Sequence, residues 1–399
     1  MSNKNFLIFT NLFPYFNDTQ GGSFITNRLM ILKSLDIDFN VYALIPDDTY
    51  FVKLIKKYSG KKIFDNTKNN FELNGINYNY IKIHRNLLNV IKERTIREKI
   101  FLQYSNHILK ILYDQIKNQN YNLIIAHGMY DPPAGLIAKI FSEKLNIPYI
   151  VNCQGSDINY KMQLSPELYI DVFENAAKVV FVSNAILDKA KDYGYSGNNA
   201  IVSPNGVDLD NFKLLDKNKI KLELGLKNKV VGFVGNLLPV KRADKLPEIF
   251  YEINKQKEVD FLVVGDGPLK KEIEQRCKEK NLNVLFTGKI PHDEIPKYMN
   301  AMDVMILPSR NEGFGAVVIE AQSCGVPVVG SDNGGIPEAV GNGGIIVKEG
   351  DYFEKRFATA VIELLDNPID SETLRQRSLS FSWQNIVNKE LEIYEKLIK

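Results

Sequence analysis

The chain has 399 residues, 44% hydrophobic and 25% charged, which points to a globular protein of about two domains and excludes a disordered chain. A net charge of +2 is too small to argue for nucleic-acid binding, and no zinc finger, recognition helix or aromatic-basic stripe accompanies it. Three dispersed cysteines without CxxC spacing argue against a disulfide scaffold or thiolate zinc site, and no apolar run reaches the roughly 18 residues of a membrane span.

The first element is an apolar strand at 6–13, without the h-region and cleavage site of a secretory signal, so a cytoplasmic location is expected. A loop at 14–24 carries Gly21 and Gly22, and a helix-like segment runs on to about Leu35. A second strand at 39–46 alternates and stops at Pro46. Two basic stretches follow, 52–64 and 84–99. They read either as solvated helix surface or as a patch facing anionic lipid or a charged acceptor.

The run 121–128 is a strand ending at His127, 134–146 an amphipathic helix, and 147–157 a strand ending at Asp157. His127 suits a substrate hydroxyl contact or proton shuttle, or a purely structural role, and Asp157 is a candidate carboxylate at a strand end. Another strand-then-polar-loop unit occupies 178–184. Glycine and asparagine cluster after it, which places a domain boundary near 190–200.

The second half repeats the form. Short β-rich runs at 229–241, 259–268, 283–290, 303–309 and 326–332 alternate with helix-like segments, and 382–399 is one amphipathic helix. Short buried strands separated by helices imply parallel sheets covered on both faces, hence two doubly wound domains. Ligands of such folds sit at the carboxyl ends of the strands, with the cleft between domains as the default site.

The chemistry concentrates at 310–338. Gly313 and Gly315 flank Phe314, and a helix expected from Gly315 offers first-turn N–H groups to phosphate. Glu312 and Glu320 would be separated by about 12 Å of axial rise in a continuous helix, a span that suits two ends of a sugar nucleotide but not one metal ion. The plainer reading is a loop and helix with incidental surface glutamates. Lys241 and Arg242 follow the turn Gly235–Pro239, an order that fits a diphosphate clamp or simply a solvated helix start. The GDGP run at 265–268 is a turn signal first. The four histidines form no HExxH pattern, and GxSxG, GxxxxGK[ST] and GxGxxG are all missing from the sequence, which disfavours hydrolase, P-loop and dinucleotide readings.

Taken in order, these segments resemble retaining glycosyltransferases of the GT-B type, family 4, over nearly the full length. The strongest element is the E-x7-E run from Glu312 to Glu320. The glycine pair at 21–22, GSD at 155–157, SPNGVD at 203–208, the turn at 235–241, VVGDGP at 263–268, the GG and IPE run at 334–338 and FSWQNIV at 381–387 support it. The resemblance implies two facing Rossmann-like domains, 1–195 for acceptor and 196–380 for nucleotide sugar, with a helix at 381–399 crossing back to the first. It implies that Glu320 binds ribose hydroxyls, Glu312 binds hydroxyls of the transferred sugar, and Lys241 neutralises the diphosphate. Gly315 and the N–H groups after it would approach sugar or phosphate, and Gly22 the diphosphate. Glu312, Lys241, His127 and Asp157 form the expected reactive set. Gly22, Asn236, Lys241, Arg242, Gly313, Phe314, Gly315 and Glu320 form the expected donor set, with no metal ligand.

Two positions depart from the family. Asn236 stands where arginine is frequent, so the clamp lacks one cation unless Arg242 replaces it. Gln154 stands where histidine is frequent, and glutamine donates a hydrogen bond but does not titrate. The implied chemistry is same-face transfer in which the leaving phosphate deprotonates the acceptor, rather than a two-carboxylate glycosidase scheme. The expected activity is transfer of a hexose-type sugar from a nucleotide diphosphate sugar, with a UDP-sugar favoured and GDP left open, to a surface-glycan or lipid-linked acceptor by a monomer or dimer, cytoplasmic and in contact with the inner membrane face. No tightly bound cofactor is expected. Two alternatives are a soluble enzyme for a small acceptor, similar to the malate N-acetylglucosaminyltransferase of bacillithiol synthesis, and a silent nucleotide-sugar-binding scaffold.

Overall fold

A computed structural model describes residues 4–14, 21–59, 63 and 67–398. Part of the expected loop at 14–24 and part of the basic stretch at 52–64, Lys61 and Lys62 included, lie outside the described residues, as does residue 399 of the expected terminal helix. The chain divides into two compact units, Met1–Ser203 with Val387–Lys399, and Pro204–Ile386.

The first unit is built on β1 (Asn5–Thr10), β2 (Asp38–Asp48), β3 (Asn70–Leu73), β4 (Ile76–Arg85), β5 (Leu123–His127), β6 (Tyr149–Cys153), β7 (Lys178–Phe181) and β8 (Ala200–Val202). Their order is β3-β4-β2-β1-β5-β6-β7-β8. All neighbours are parallel except β3 and β4, which form a hairpin through Asn74 and Gly75. The central strands read as apolar runs because both faces are covered: Phe6, Ile8, Leu123, Ile125 and Ile150 share one core with Ile25 and Leu29 of helix Ser23–Ser34. Val387, Leu391 and Tyr394 of the terminal helix Trp383–Glu395 join that core. Beside them Glu390 forms a buried ion pair with Arg28, N···O 3.1 Å, and accepts the Ser203 hydroxyl at 2.6 Å.

The second unit carries β9 (Val230–Val234), β10 (Asp260–Val264), β11 (Val284–Gly288), β12 (Val304–Leu307), β13 (Val328–Ser331) and β14 (Gly344–Val347), all parallel, in the order β11-β10-β9-β12-β13-β14. In both sheets the first strand sits at the centre and the chain then switches to its other side, between β1 and β5 and between β9 and β12. That reversal opens a crevice at the carboxyl ends, where doubly wound folds bind ligands. The doubly wound parallel architecture expected from the sequence is therefore present in each unit, with the β3–β4 hairpin as its antiparallel addition.

Candidate functional site

In the second unit the loops leaving β9 and β12 meet at the switch point. The β9 loop makes a short 3-10 turn, Pro239–Lys241, and the β12 loop runs from Pro308 to the helix Ala316–Ser323. A backbone hydrogen bond from Arg310 N to Val240 O, 2.8 Å, ties them together. Lys241 Nζ then donates to Glu312 Oε1 at 2.5 Å, and Ser309 Oγ donates to the same oxygen at 2.9 Å. Ser309 is held by its own carbonyl, which accepts Ser331 Oγ at 2.6 Å and Asn333 Nδ2 at 3.2 Å. The arrangement presents a lysine and a carboxylate as a fixed pair at the mouth of a parallel sheet, a combination that grips phosphate and hydroxyl groups side by side.

Glu312 is fixed from behind as well. Gly335 N donates to its carbonyl at 3.1 Å, and Gly334 has φ +56° with an added Cβ falling 2.2 Å from that oxygen, so only glycine fits there. Gly315, at φ +91°, is the N-cap of helix Ala316–Ser323. First-turn N–H groups of a helix point outward along its axis and favour anions. Gly313 is half-buried in the loop between. Phe314 is buried, its ring tilted against Phe381 at 5.8 Å, so the ring serves the interior and its backbone alone is left for a ligand.

Lys241 and Arg242 part company. Arg242 adopts φ +50° and turns into the unit, giving Glu349 two hydrogen bonds of 2.5 and 2.6 Å and lying 4.4 Å from the Phe353 ring centre. That pairing holds the Glu349 carboxyl below the usual range. A guanidinium engaged in this way does not replace the cation missing at Asn236, whose side chain is exposed on the turn. The GDGP segment laces its backbone to the same turn, with Gly235 N to Val264 O at 3.0 Å and Leu237 N to Asp266 O at 2.9 Å.

Glu320 lies on the far end of helix Ala316–Ser323, and its Oε1 is 3.5 Å from His292 Nε2. Hydrogen bonding to Glu320 raises the His292 pKa against the opposing effect of burial. The His292 ring also meets Phe212 edge-on at 5.3 Å. The sequence treats His292 as one of four scattered histidines; only the fold brings it to Glu320.

In the first unit Gly22, φ +66°, is the N-cap of helix Ser23–Ser34 beyond β1, and an added Cβ would sit 2.7 Å from Phe13 N. His127 ends β5 beside Thr10 of β1 and Asn152 of β6. It is 3% exposed, and burial with the Arg28 charge pushes its pKa down to about 3. A ring held neutral near pH 7 suits the hydroxyl contact or structural role among its expected readings better than proton shuttling. Its buried Nδ1 has no hydrogen-bond partner among the described residues.

Asp157 departs furthest from the sequence expectation. It is fully buried, and its oxygens accept the N–H groups of Gln154 (3.0 and 3.2 Å), Gly155 (2.8 Å), Ile158 (3.1 Å) and Met129 (3.3 Å). Burial pushes its pKa up while these four amides pull it down. With its lone pairs committed, it clamps the β5 and β6 loops instead of standing open as a reactive carboxylate. Among the described residues no group of three or more His, Cys, Asp or Glu side chains is placed to hold a metal ion.

Comparison with known proteins identifies the family. Residues 216–380 match the model for glycosyl transferases group 1, and residues 80–211 match that for glycosyltransferase family 4. An uncharacterised glycosyltransferase of Methanocaldococcus jannaschii is 30% identical over 308 residues, covering 74% of this chain and 81% of that protein. The Bacillus subtilis protein TuaC, named for a glycosyltransferase of teichuronic acid biosynthesis, is 27% identical over 339 residues, 83% of this chain and 82% of that one. Among solved structures, Anabaena HepE in complex with UDP-glucose superposes with a TM-score of 0.66 at 20% identity, covering 98% of this chain and 99% of that one. With its two doubly wound units and its Glu312–Glu320 motif, the chain belongs to the GT-B glycosyltransferases of family 4, enzymes that draw a sugar from a nucleotide-sugar donor.

Proposed function

We propose that the enzyme moves a hexose-type sugar, with retention, from a UDP-sugar to a hydroxyl of a surface-glycan or lipid-linked acceptor. The observation that carries the donor half is the Lys241–Glu312 pair at the β9/β12 switch point, 2.5 Å apart and braced by Ser309. In this reading Lys241 shares its three protons between Glu312 and the diphosphate, and Glu312 takes sugar hydroxyls with its remaining lone pairs. Glu320 takes the ribose hydroxyls. The N–H groups after Gly315 approach the phosphates, and no cofactor is held. As the bond from the sugar to phosphate breaks, a phosphate oxygen accepts the acceptor's proton and the acceptor oxygen bonds to the same face of the sugar. The protein orients the partners and stabilises the leaving charge.

UDP is favoured over GDP because a structure of the same fold binds UDP-glucose. A surface-glycan acceptor is supported by the name of the B. subtilis relative, and a lipid-linked one at the inner membrane face by helix Tyr50–Tyr58, which exposes Tyr50, Phe51, Ile55 and Tyr58 among lysines. Among the described residues no helix is long and apolar enough to cross a membrane.

The test is calorimetric titration of UDP and GDP into the wild type and Glu320→Ala. UDP binding that Glu320→Ala removes supports the nucleotide site. Binding of GDP alone revises the donor, and binding of neither by folded protein overturns the reading. Product stereochemistry by NMR then checks retention, and transfer to a small soluble acid without lipid would replace the acceptor assignment.

A further inference from the structure

The loops and helices at the carboxyl ends of β2, β4, β5 and β6 enclose a second feature, a pocket of about 310 Å³ within the first unit. That volume is at the lower end for small-molecule sites. Five cations line it: Lys56, Arg85, Arg94, Arg97 and Lys161. Three carboxylates answer them. Asp48 pairs with Lys56 and, at 3.6 Å, with Arg85. Glu93 takes Arg85 at 2.5 Å, and Asp131 takes Arg97 and, at 2.5 Å, Lys161. The pocket is left with an excess of positive charge and with unfilled donors. The Arg97 Nε is buried without an acceptor among the described residues, and Arg94 is exposed at the rim. Converging arginines with open N–H groups match the acceptor-rich oxygens of phosphate.

Apart from Ser59 the rest of the lining is apolar; Val52 is buried beneath it and three of the other side chains are exposed. Ile55 is 54% exposed, Leu87 47% and Leu164 55%, and Phe51 and Leu88 on the same two helices are exposed as well. On helix Leu87–Thr95 the usual arrangement is inverted, with Glu93 buried and Leu87, Leu88 and Ile91 exposed. Exposed large apolar residues gathered around a cationic pocket call for a ligand that is both anionic and greasy. The pocket also opens at the carboxyl ends of the strands, the edge that carries Gly22 and His127.

We infer that this pocket is an acceptor subsite that holds the phosphate of a phosphorylated amphiphile, with its hydrocarbon chain lying on Ile55, Leu87 and Leu164. The inference rests on the reading of the acceptor as lipid-linked, and it adds the head-group chemistry and the residues that take it. Free phosphate offers the same head group, so the test separates the two sources.

Decyl phosphate, kept below its critical micelle concentration, is titrated calorimetrically into the full chain beside inorganic phosphate and decanol. We expect decyl phosphate to bind at least about tenfold tighter than inorganic phosphate, and decanol to give no saturable heat. Arg94→Glu is expected to weaken decyl phosphate about tenfold or more while UDP still binds the same sample, which reports a folded protein. Leu87→Ser is expected to weaken decyl phosphate and leave inorganic phosphate unchanged. Equal binding of inorganic and decyl phosphate would make this a free-anion site and overturn the proposal. Equal binding of decanol would reduce it to an apolar surface, and indifference to Arg94→Glu would place the phosphate elsewhere. Decyl phosphate binding that meets these expectations in a protein that binds no nucleotide would support the pocket and count against the donor assignment alone.

Discussion

Gly334→Ala tests whether the loop behind Glu312 sets the donor site. An alanine Cβ at this position would lie 2.2 Å from Glu312 O and 3.1 Å from Glu312 N, both backbone atoms. An ordinary carbon–oxygen contact is about 3.3 Å or more, so the Glu312 loop must retreat by roughly 1 Å. The left-handed backbone adds about 1–2 kcal/mol of strain for a residue with a Cβ. Losing the 3.1 Å bond from Gly335 N to Glu312 O adds about 1 kcal/mol. The unit should then melt roughly 5–10 °C lower, and a 1 Å displacement of a gripping residue should reduce turnover about 100-fold. The assay is release of UDP from UDP-glucose, or from whichever nucleotide sugar the binding panel selects, alongside thermal unfolding. Gly225→Ala is the control. Its φ is +70° and nothing lies within 4 Å of the added Cβ, so it carries the strain without the collision. It should lose a few degrees and keep its rate. If Gly334→Ala turned over within about threefold of wild type while Glu312→Ala did not, the loop would not be what positions Glu312, and the reasoning would fail.

Lys241→Met should raise the UDP dissociation constant by about 10–100-fold, the scale of one charge-assisted hydrogen bond, with a weaker salt dependence in calorimetry. Glu390→Ala strands the buried Arg28 and should cost the first unit about 3–5 kcal/mol in denaturant unfolding, whereas Arg28→Met with Glu390→Leu should recover most of it. His292 has its pKa raised by Glu320, so the folded state favours its charged form. Its contribution is complete below the unfolded value of about 6.5 and is lost as pH rises through the higher folded value. The melting-temperature gap between wild type and His292→Ala should therefore be widest at low pH and close toward pH 9.

The parallel strands were legible because burial on both faces leaves β1, β5, β9 and β12 as short apolar runs that end in polar loops. The β3–β4 hairpin is legible too, since Asn74-Gly75, with φ of +53° and +70°, is a strong two-residue hairpin signal. Helix Leu87–Thr95 was legible only as a basic helix surface, and the side it buries was not, because its side-chain pattern opposes its burial. Glu93 goes inward to meet Arg85 at 2.7 Å and the Tyr104 hydroxyl at 3.1 Å, and the leucines go out. Periodicity reports where apolar residues recur, not which face the fold will cover. Asp157 fails for a related reason. A carboxylate at a strand end reads alike whether it faces substrate or collects four amides, and only the closing of the β5 and β6 loops decides between them.

Lys241 and Arg242 show the limit most sharply, since two adjacent cations look interchangeable on the page. The left-handed backbone at Arg242 swings its guanidinium to Glu349 and leaves Lys241 with Glu312. The cation that the family resemblance implies at the Asn236 position is therefore not restored by its neighbour. If the turn after β9 faces the diphosphate, Asn236→Arg should supply that missing charge. Asn236 is exposed, so the longer side chain meets no packing obstacle. One added solvent-exposed contact to phosphate is worth about 0.5–1 kcal/mol, so UDP should bind roughly two- to fivefold tighter and with a steeper salt dependence. Arg242→Lys, by contrast, should lower the melting temperature through the loss of its paired hydrogen bonds to Glu349 and its place over Phe353, with UDP affinity unchanged. An unaltered UDP affinity in Asn236→Arg together with a weakened one in Arg242→Lys would reverse the assignment: the buried arginine, not the exposed turn, would then be the group that senses the donor's charge.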